Sequence, residues 1–180
     1  MSTTFILGGA RSGKSRYAIS TQPPDLTVAF IATAEARDAD MARRIARHRA
    51  ERPHHWQTIE APCDVVGALD GLKGDVHAAV IDCLTLWVAN RQLRGDDDAA
   101  ILDDANRLAE RIVRPRVALT VVSNEVGEGV HPPTADGMRF RDLLGATNQL
   151  IAAACERVVL MVAGIPLPVK TPEPGPEISP

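Results

Sequence analysis

The sequence predicts an α/β fold, a mostly parallel sheet flanked by helices, and three observations carry that expectation. Short runs of Val, Ile, Leu and Ala alternate with stretches of helical spacing. Aromatic residues are scarce, three Phe, two Trp and one Tyr among 180 residues, so aliphatic side chains must fill the core. The first apolar run leads through a glycine-rich turn into the first helical stretch, an order in which a parallel sheet builds a ligand site at its strand ends.

A chain of this length corresponds to about one domain and can bury roughly 70% of the surface its unfolded form exposes. Its 45% hydrophobic and 24% charged residues are an ordinary globular composition. Twenty Lys and Arg against 23 Asp and Glu leave a formal charge of −3, which supports neither nucleic-acid binding nor a polybasic membrane surface. The longest apolar stretches, about eight to ten residues, fall short of the ~20 that cross a bilayer, so no membrane insertion is expected. Met1 to Gly13 holds no basic region followed by a long apolar core, so no secretory signal is expected either. Cys63, Cys83 and Cys155 are odd in number and form no CxxC pair. Reduced thiols in a cytoplasmic protein are expected, with no zinc site and no disulfide framework.

Thr4–Leu7 reads as a short strand ending in Gly8-Gly9, and Val28–Ala32 as a second strand. Asp38–Arg49 reads as a helix that Asp38 caps, with Met41, Ile45 and His48 on one face at i, i+4, i+7. His77–Asp82 is the third strand, and a helix follows through Trp87 to about Leu93. Asp96–Asp98 is an acidic turn, expected to be a solvated helix start. Ala99–Val113 continues at helical spacing and stops before Pro115. Val117–Val122 is almost wholly apolar, as a centre strand buried on both faces should be. Gly127–Gly137 reads as a Gly/Pro loop, Arg139–Cys155 as a helix, and Arg157–Ala163 as a fifth strand with Leu167–Lys170 as its short hairpin partner. Prolines crowd the end, so a single catalytic domain over 1–170 is expected to carry an extended tail over 171–180.

Gly8-Gly9-Ala10-Arg11-Ser12-Gly13-Lys14-Ser15 fits GxxxxGK[ST] at every fixed position, and it follows a strand and opens a helix. Glycines let backbone N–H groups wrap an anion, and the helix N-terminus adds about half a positive charge. The loop from Gly8 to Ser15 is therefore expected to hold nucleotide phosphates. Lys14 is expected to reach the β and γ phosphates as a catalytic cation, and Ser15 to hold Mg²⁺. A Walker-B-type carboxylate should end a neighbouring apolar strand. Asp82 is the candidate for the metal shell, a role compatible with capping the helix that starts at Leu84. A guanine-reading NKxD motif is missing, since Asn124 is followed by Glu125 and Asn148 by Gln149, which counts against a small regulatory GTPase.

His48 stands near the end of a basic helix. A histidine on a half-buried helix face is usually structural, but Arg44, Arg47, Arg49 and Arg52 bring several guanidiniums near this one, an environment for a polyphosphate. Cationic neighbours favour the neutral form of an imidazole, and a neutral imidazole can attack phosphorus to form a covalent intermediate. His54 and His55 read as loop residues, with no carboxylate or cysteine at ligand spacing to make a zinc site.

Five stretches then occur in order: GGARSGKSRYA, RIARHRAERPHHWQTIEAP, VIDCLTLWVAN, VVSNEVGEGVHP and RFRDLLGATNQLIAAACERVVLMVAGIPLPVK. Together they resemble the bifunctional adenosylcobinamide kinase / adenosylcobinamide-phosphate guanylyltransferase family of cobalamin biosynthesis, from about Thr4 to Lys170. Many families share the P-loop. The run His48, Arg52, Trp56, Thr58, Glu60 and the segment Ser123 to Pro132 are more specific. The resemblance implies a P-loop NTPase-like, RecA-like sheet and two reactions. Adenosylcobinamide takes the γ-phosphoryl of ATP or GTP. The histidine matching His48 then attacks the α-phosphorus of GTP, and the GMP it carries passes to the cobinamide phosphate, giving adenosylcobinamide-GDP.

By the same resemblance Ala32, Thr33 and Ala34 form a nucleotide-contact turn, and Arg49, Ala50, Glu51 and Arg52 contact GTP or GMP. Glu60 and Asp82 are acidic positions near the nucleotide, with Asp82 joining Ser15 at the Mg²⁺. Asn124 and Glu125, at a strand end where α/β ligands bind, are expected to face the corrinoid or the metal. A homotrimer with sites between subunits is implied too. Ile19 stands where many relatives carry an acidic residue, and the Pro-rich extension is a second departure; neither touches the motifs. Two other readings use the same P-loop: a small-molecule kinase without a covalent histidine, and a nucleotide-binding regulatory module without chemistry. His48 with its arginine neighbours separates the bifunctional reading from the small-molecule kinase, and the regulatory module would bind GTP without releasing pyrophosphate.

Overall fold

The computed structural model describes residues 1–172, so the expected tail falls almost wholly outside the described residues. Strands run β1 (Thr3–Gly8), β2 (Val28–Ala32), β3 (Gln57–Glu60), β4 (Ala78–Asp82), β5 (Ala118–Val122), β6 (Arg157–Val162) and β7 (Ile165–Lys170). Helices run α1 (Lys14–Ser20), α2 (Ala39–Ala50), α3 (Val65–Asp70), α4 (Leu84–Arg94), α5 (Asp98–Val113) and α6 (Ala135–Ala154). They build one seven-stranded sheet in the order β3-β2-β4-β5-β1-β6-β7. All neighbours pair in parallel except the β6–β7 hairpin. Central β5 is buried on both faces, which explains its uninterrupted apolar sequence.

Alternation along the strands divides the apolar side chains between two cores. Phe5, Ile31, Ile81 and Val121 point to the larger one, where Trp87, Ile101, Leu108, Leu144 and Ile151 meet them. Ile6, Phe30, Val80, Val122 and Met161 point to the other face, covered by Ala18 of α1 and by Trp56, with Ile19 packed alongside. This second core is small because α1 spans only seven residues. Asp38 caps α2 as expected, accepting from Met41 N at 2.7 Å, yet no residue of α2 is buried. Among the described residues no helix is long and apolar enough to cross a membrane.

Three expectations change, and two elements lie where none was predicted. β3 and α3 fall in a stretch that carries no predicted element. β3 is a four-residue edge strand exposed at both ends, and α3 is six residues capped by Asp64, both too short for a periodic signal. α6 starts at Ala135 rather than Arg139. Thr134 accepts from Gly137 N at 3.1 Å, and a Cβ on Gly137 would stand 2.9 Å from Pro132, so the glycine that reads as loop is needed inside the first turn. The acidic turn is only partly solvated: Asp97 caps α5, but Asp96 is gripped by Arg91 and Arg94. Finally, β4 is not the neighbour of β1, because β5 lies between them.

Candidate active site

β1 delivers the P-loop at the C-terminal end of the sheet. Gly8 (φ +149°) and Gly13 (φ +95°) take backbone conformations that side chains disfavour, and Arg11 joins them at φ 57°. Lys14 is 7% exposed, and its Nζ donates to Gly8 O at 2.8 Å, Gly9 O at 2.5 Å and Ser12 Oγ at 3.3 Å. Burial pulls its pKa down, Cys83 and Asp82 oppose that, and Arg44 adds to it. The ammonium thus stands within the field of Asp82 despite the strand between β1 and β4. The hairpin turn after β6 braces the loop from beneath, with Gly164 N donating to Ser12 O at 3.0 Å.

Ala32 pairs in register with both Glu60 on β3 and Asp82 on β4, and Asp82 with Val122 on β5. The two carboxylates therefore stand level at the strand ends, two strands apart, about 10 Å by strand spacing. Asp82 does not cap α4: Cys83 holds that position without a side-chain bond, and the Asp82–Cys83 peptide is cis. Thr33 is fully buried. Its Oγ1 donates to Cys83 O at 2.7 Å and accepts from Cys83 N at 2.8 Å, so its side chain joins β2 to β4. Burial pushes the Cys83 thiol up to about 11.

One open cleft gathers most of these groups. Ser15, Ala32, Ala34, His48, Arg49, Arg52, Glu60 and Asp82 all line it, with Arg44, Thr58 and an apolar side made by Phe30, Met41, Ile45, Cys83 and Leu86. The helical face of Met41, Ile45 and His48 is thus the face α2 turns to the cleft. Arg52 lies on the Phe30 ring, 3.5 Å from its centroid, and donates to Thr58 Oγ1 at 3.2 Å. Its pKa is lowered by burial against the pull of Asp82, with Arg49 adding to the lowering. Ala50 and Glu51 are exposed at the end of α2 and do not line the cleft, nor does Arg47. Phe30, Cys83 and Leu86 escaped sequence reasoning. Cys83 and Leu86, one and four residues past Asp82, carry a local signal, whereas Phe30 reads only as a strand residue.

The end of β5 closes the site between the P-loop and Asp82. Glu125 N donates to Gly8 O at 3.2 Å, Asn124 N to Thr85 Oγ1 at 2.8 Å, and Asn148 Nδ2 to Asn124 O at 3.0 Å. The Glu125 carboxylate accepts from Gly127 N at 2.8 Å.

Three guanidiniums, Arg44, Arg49 and Arg52, line the cleft with the carboxylates of Glu60 and Asp82, and the buried Lys14 ammonium adds a cation from the P-loop beside it, a charge balance suited to a polyanion. Comparison with known proteins agrees with that chemistry. The profile of one family, cobinamide kinase / cobinamide phosphate guanyltransferase, matches residues 4–169. The chain belongs to this family. It is 43% identical over 173 residues to the bifunctional adenosylcobalamin biosynthesis protein CobP of Pseudomonas aeruginosa, covering 92% of this chain and 96% of that one. To the bifunctional adenosylcobalamin biosynthesis protein CobU of Salmonella typhimurium it is 36% identical over 180 residues, covering 92% and 98%. A solved structure of a prototypical ATPase from the type III secretion system of pathogenic bacteria superposes at a TM-score of 0.55. The identity is 12%, over 88% of this chain and 50% of that one. At that identity the likeness concerns the fold alone, the RecA-like, mostly parallel sheet that the sequence predicts. Every cleft residue named above falls inside the family match.

Proposed function

We propose that this one cleft carries both reactions of the family, adenosylcobinamide kinase and adenosylcobinamide-phosphate guanylyltransferase. The observation that supports it is that Ser15 of the P-loop and His48 of α2 line the same cleft, among Arg44, Arg49, Arg52 and Asp82. In the first reaction the cobinamide hydroxyl oxygen attacks the γ-phosphorus of ATP or GTP and gives up its proton to water, the bond between the γ-phosphorus and the β–γ bridging oxygen breaks, and the nucleoside diphosphate leaves. Lys14 and the P-loop amides stabilise the charge that spreads over the phosphoryl oxygens. In the second, a ring nitrogen of His48 attacks the α-phosphorus of GTP and pyrophosphate leaves. A phosphate oxygen of the cobinamide phosphate then displaces the imidazole, which returns free. In this second reaction Arg44, Arg49 and Arg52 offset the triphosphate charge of GTP, and Ala32, Ala34 and Glu60 wall its guanylate.

Ser15 and Asp82 offer a hydroxyl and a carboxylate on one cleft, hard oxygen donors of the kind Mg²⁺ takes beside substrate phosphates. These two residues would hold the ion, which when bound neutralises phosphate charge. The assembly is proposed to be a homotrimer, which would cover the exposed strip of Val162, Ile165, Leu167 and Val169 on the edge hairpin. Three free thiols suit a reducing compartment such as the cytoplasm.

Incubation with α-³²P-labelled GTP and Mg²⁺ tests the histidine step. The expected result is one acid-labile guanylate per active subunit, lost in His48→Ala while the kinase reaction persists. Labelling of His48→Ala at the parent's level would overturn the assignment. Absence of label with kinase activity intact would favour the small-molecule kinase reading.

A further inference from the structure

α2 carries His48 but buries none of its residues. A helix without a buried face gains little from packing, so the loops at its two ends largely set its place. The loop at its N-terminal end, between Ala32 and Asp38, is gripped from α4 by a single side chain. Asn90 is 5% exposed, and its Nδ2 donates to Thr33 O at 2.8 Å while its Oδ1 accepts from Arg37 Nη2 at 3.2 Å. The same Nδ2 donates to Pro62 O at 3.0 Å, in the loop that leaves β3 just after Glu60. Arg37 is held in turn by Glu35, its Nε donating to Oε2 at 2.9 Å.

An amide buried on a helix has to be satisfied to be tolerated, and an apolar residue would fill the same volume without that demand. Here both polar atoms of the amide are used, and each bond runs to a loop beside the cleft. Thr33 keeps its own bonds to the ends of β4, through its N to Asp82 O at 3.1 Å and through Oγ1 to Cys83, whether or not Asn90 is present. The P-loop and Asp82 are therefore independent of the clamp, and the path into α2 is not.

We propose that Asn90 is a positioning residue selective for guanylyl transfer: by pinning the β2–α2 loop to the β3–α3 loop it sets where α2 holds His48 over the cleft. This rests on the reading of His48 as nucleophile. Loss of the clamp misplaces the imidazole relative to the α-phosphorus and leaves the groups of the kinase reaction in register.

The experiment compares the parent protein with Asn90→Ala, Arg37→Ala and the double variant. Each is assayed for the single-turnover rate of guanylate attachment from α-³²P-GTP, for steady-state kcat and KM of adenosylcobinamide phosphorylation, and for its melting temperature. Asn90→Ala is expected to attach guanylate about 10- to 100-fold more slowly, the loss typical of a displaced reacting group, with kinase kcat and KM within about 2-fold. Arg37→Ala, which removes a half-exposed side chain, is expected to lose about 3-fold in the same reaction alone. The double variant should fall no further than Asn90→Ala, because both changes release the same loop. A folded Asn90→Ala that labels at the parent rate overturns the proposal, as does an equal fall in both reactions. If Asn90→Ala does not fold, an unchanged labelling rate in Arg37→Ala overturns it. Absence of label on the parent protein sinks the histidine reading itself and the clamp with it, whereas equal label on parent and variant sinks the clamp alone.

Discussion

Two adjacent glycines of the P-loop should respond very differently to a single methyl group. A Cβ built on Gly8 stands 2.5 Å from Met161 O, 2.8 Å from Ser12 Oγ and 3.2 Å from Met161 Cβ, at φ +149°. Met161 is the register partner of Gly8 across the β1–β6 pair, so its carbonyl cannot retreat without moving a strand. Overpacking of this kind costs about 1–3 kcal/mol, and forcing an alanine into that backbone conformation roughly 1–3 kcal/mol more. Gly8→Ala should therefore destabilise by about 2–6 kcal/mol, which for a chain of this size is a fall in Tm of roughly 5–20 °C. A Cβ on Gly9 meets nothing within 4 Å, and Gly9 has no positive φ, so Gly9→Ala should stay within about 0.5 kcal/mol of the parent. Thermal melts of the three proteins without nucleotide read the difference, and calorimetric titration with ATP reads its consequence. Gly8 O accepts from Lys14 Nζ, so a shifted Gly8 also moves the cation and weakens nucleotide binding. Equal melting of Gly8→Ala and the parent, or an equal loss from Gly9→Ala, would refute the steric account.

Lys14→Met should depress both reactions by about 100-fold or more, because each needs its phosphates held by the same cation; full guanylyl transfer without kinase activity would show two separate phosphate sites. Asp96 makes stability depend on pH: its hydrogen bonds to Arg94 and then Arg91 hold its carboxyl at about 2. A lowered folded value contributes stability that is complete above about pH 4 and drains away as the pH falls towards 2. Asp96→Asn should thus be less stable than the parent in urea at pH 7, with the gap closing by about pH 2; a gap of constant size across that range would assign its contribution elsewhere.

Where a signal is local, it could be read from the chain. Glycine spacing, Asp38 as a cap and the apolar β5 each depend on residues within a few positions of one another, and the structure reproduces them. β3 and α3 escaped because four or six residues complete no period that composition can reveal. Gly137 misled because helix propensity counts against glycine, while the reason for it is a contact with Pro132. Asn90 gave no signal at all, since its three partners, Thr33, Arg37 and Pro62, come from loops far away in sequence.

The amino-acid order alone determined the phosphate-gripping turn, the alternation of aliphatic strands with helices, and the arginine-rich surroundings of His48, all set by neighbours along the chain. Tertiary structure decided that β5 separates β1 from β4, that Glu60 and Asp82 stand level on either side of β2, and that Ser15 and His48 face one cleft. The physical reason is that parallel crossovers bring together strand ends distant in sequence. Their order depends on which faces the whole sheet must bury, a property no short segment carries.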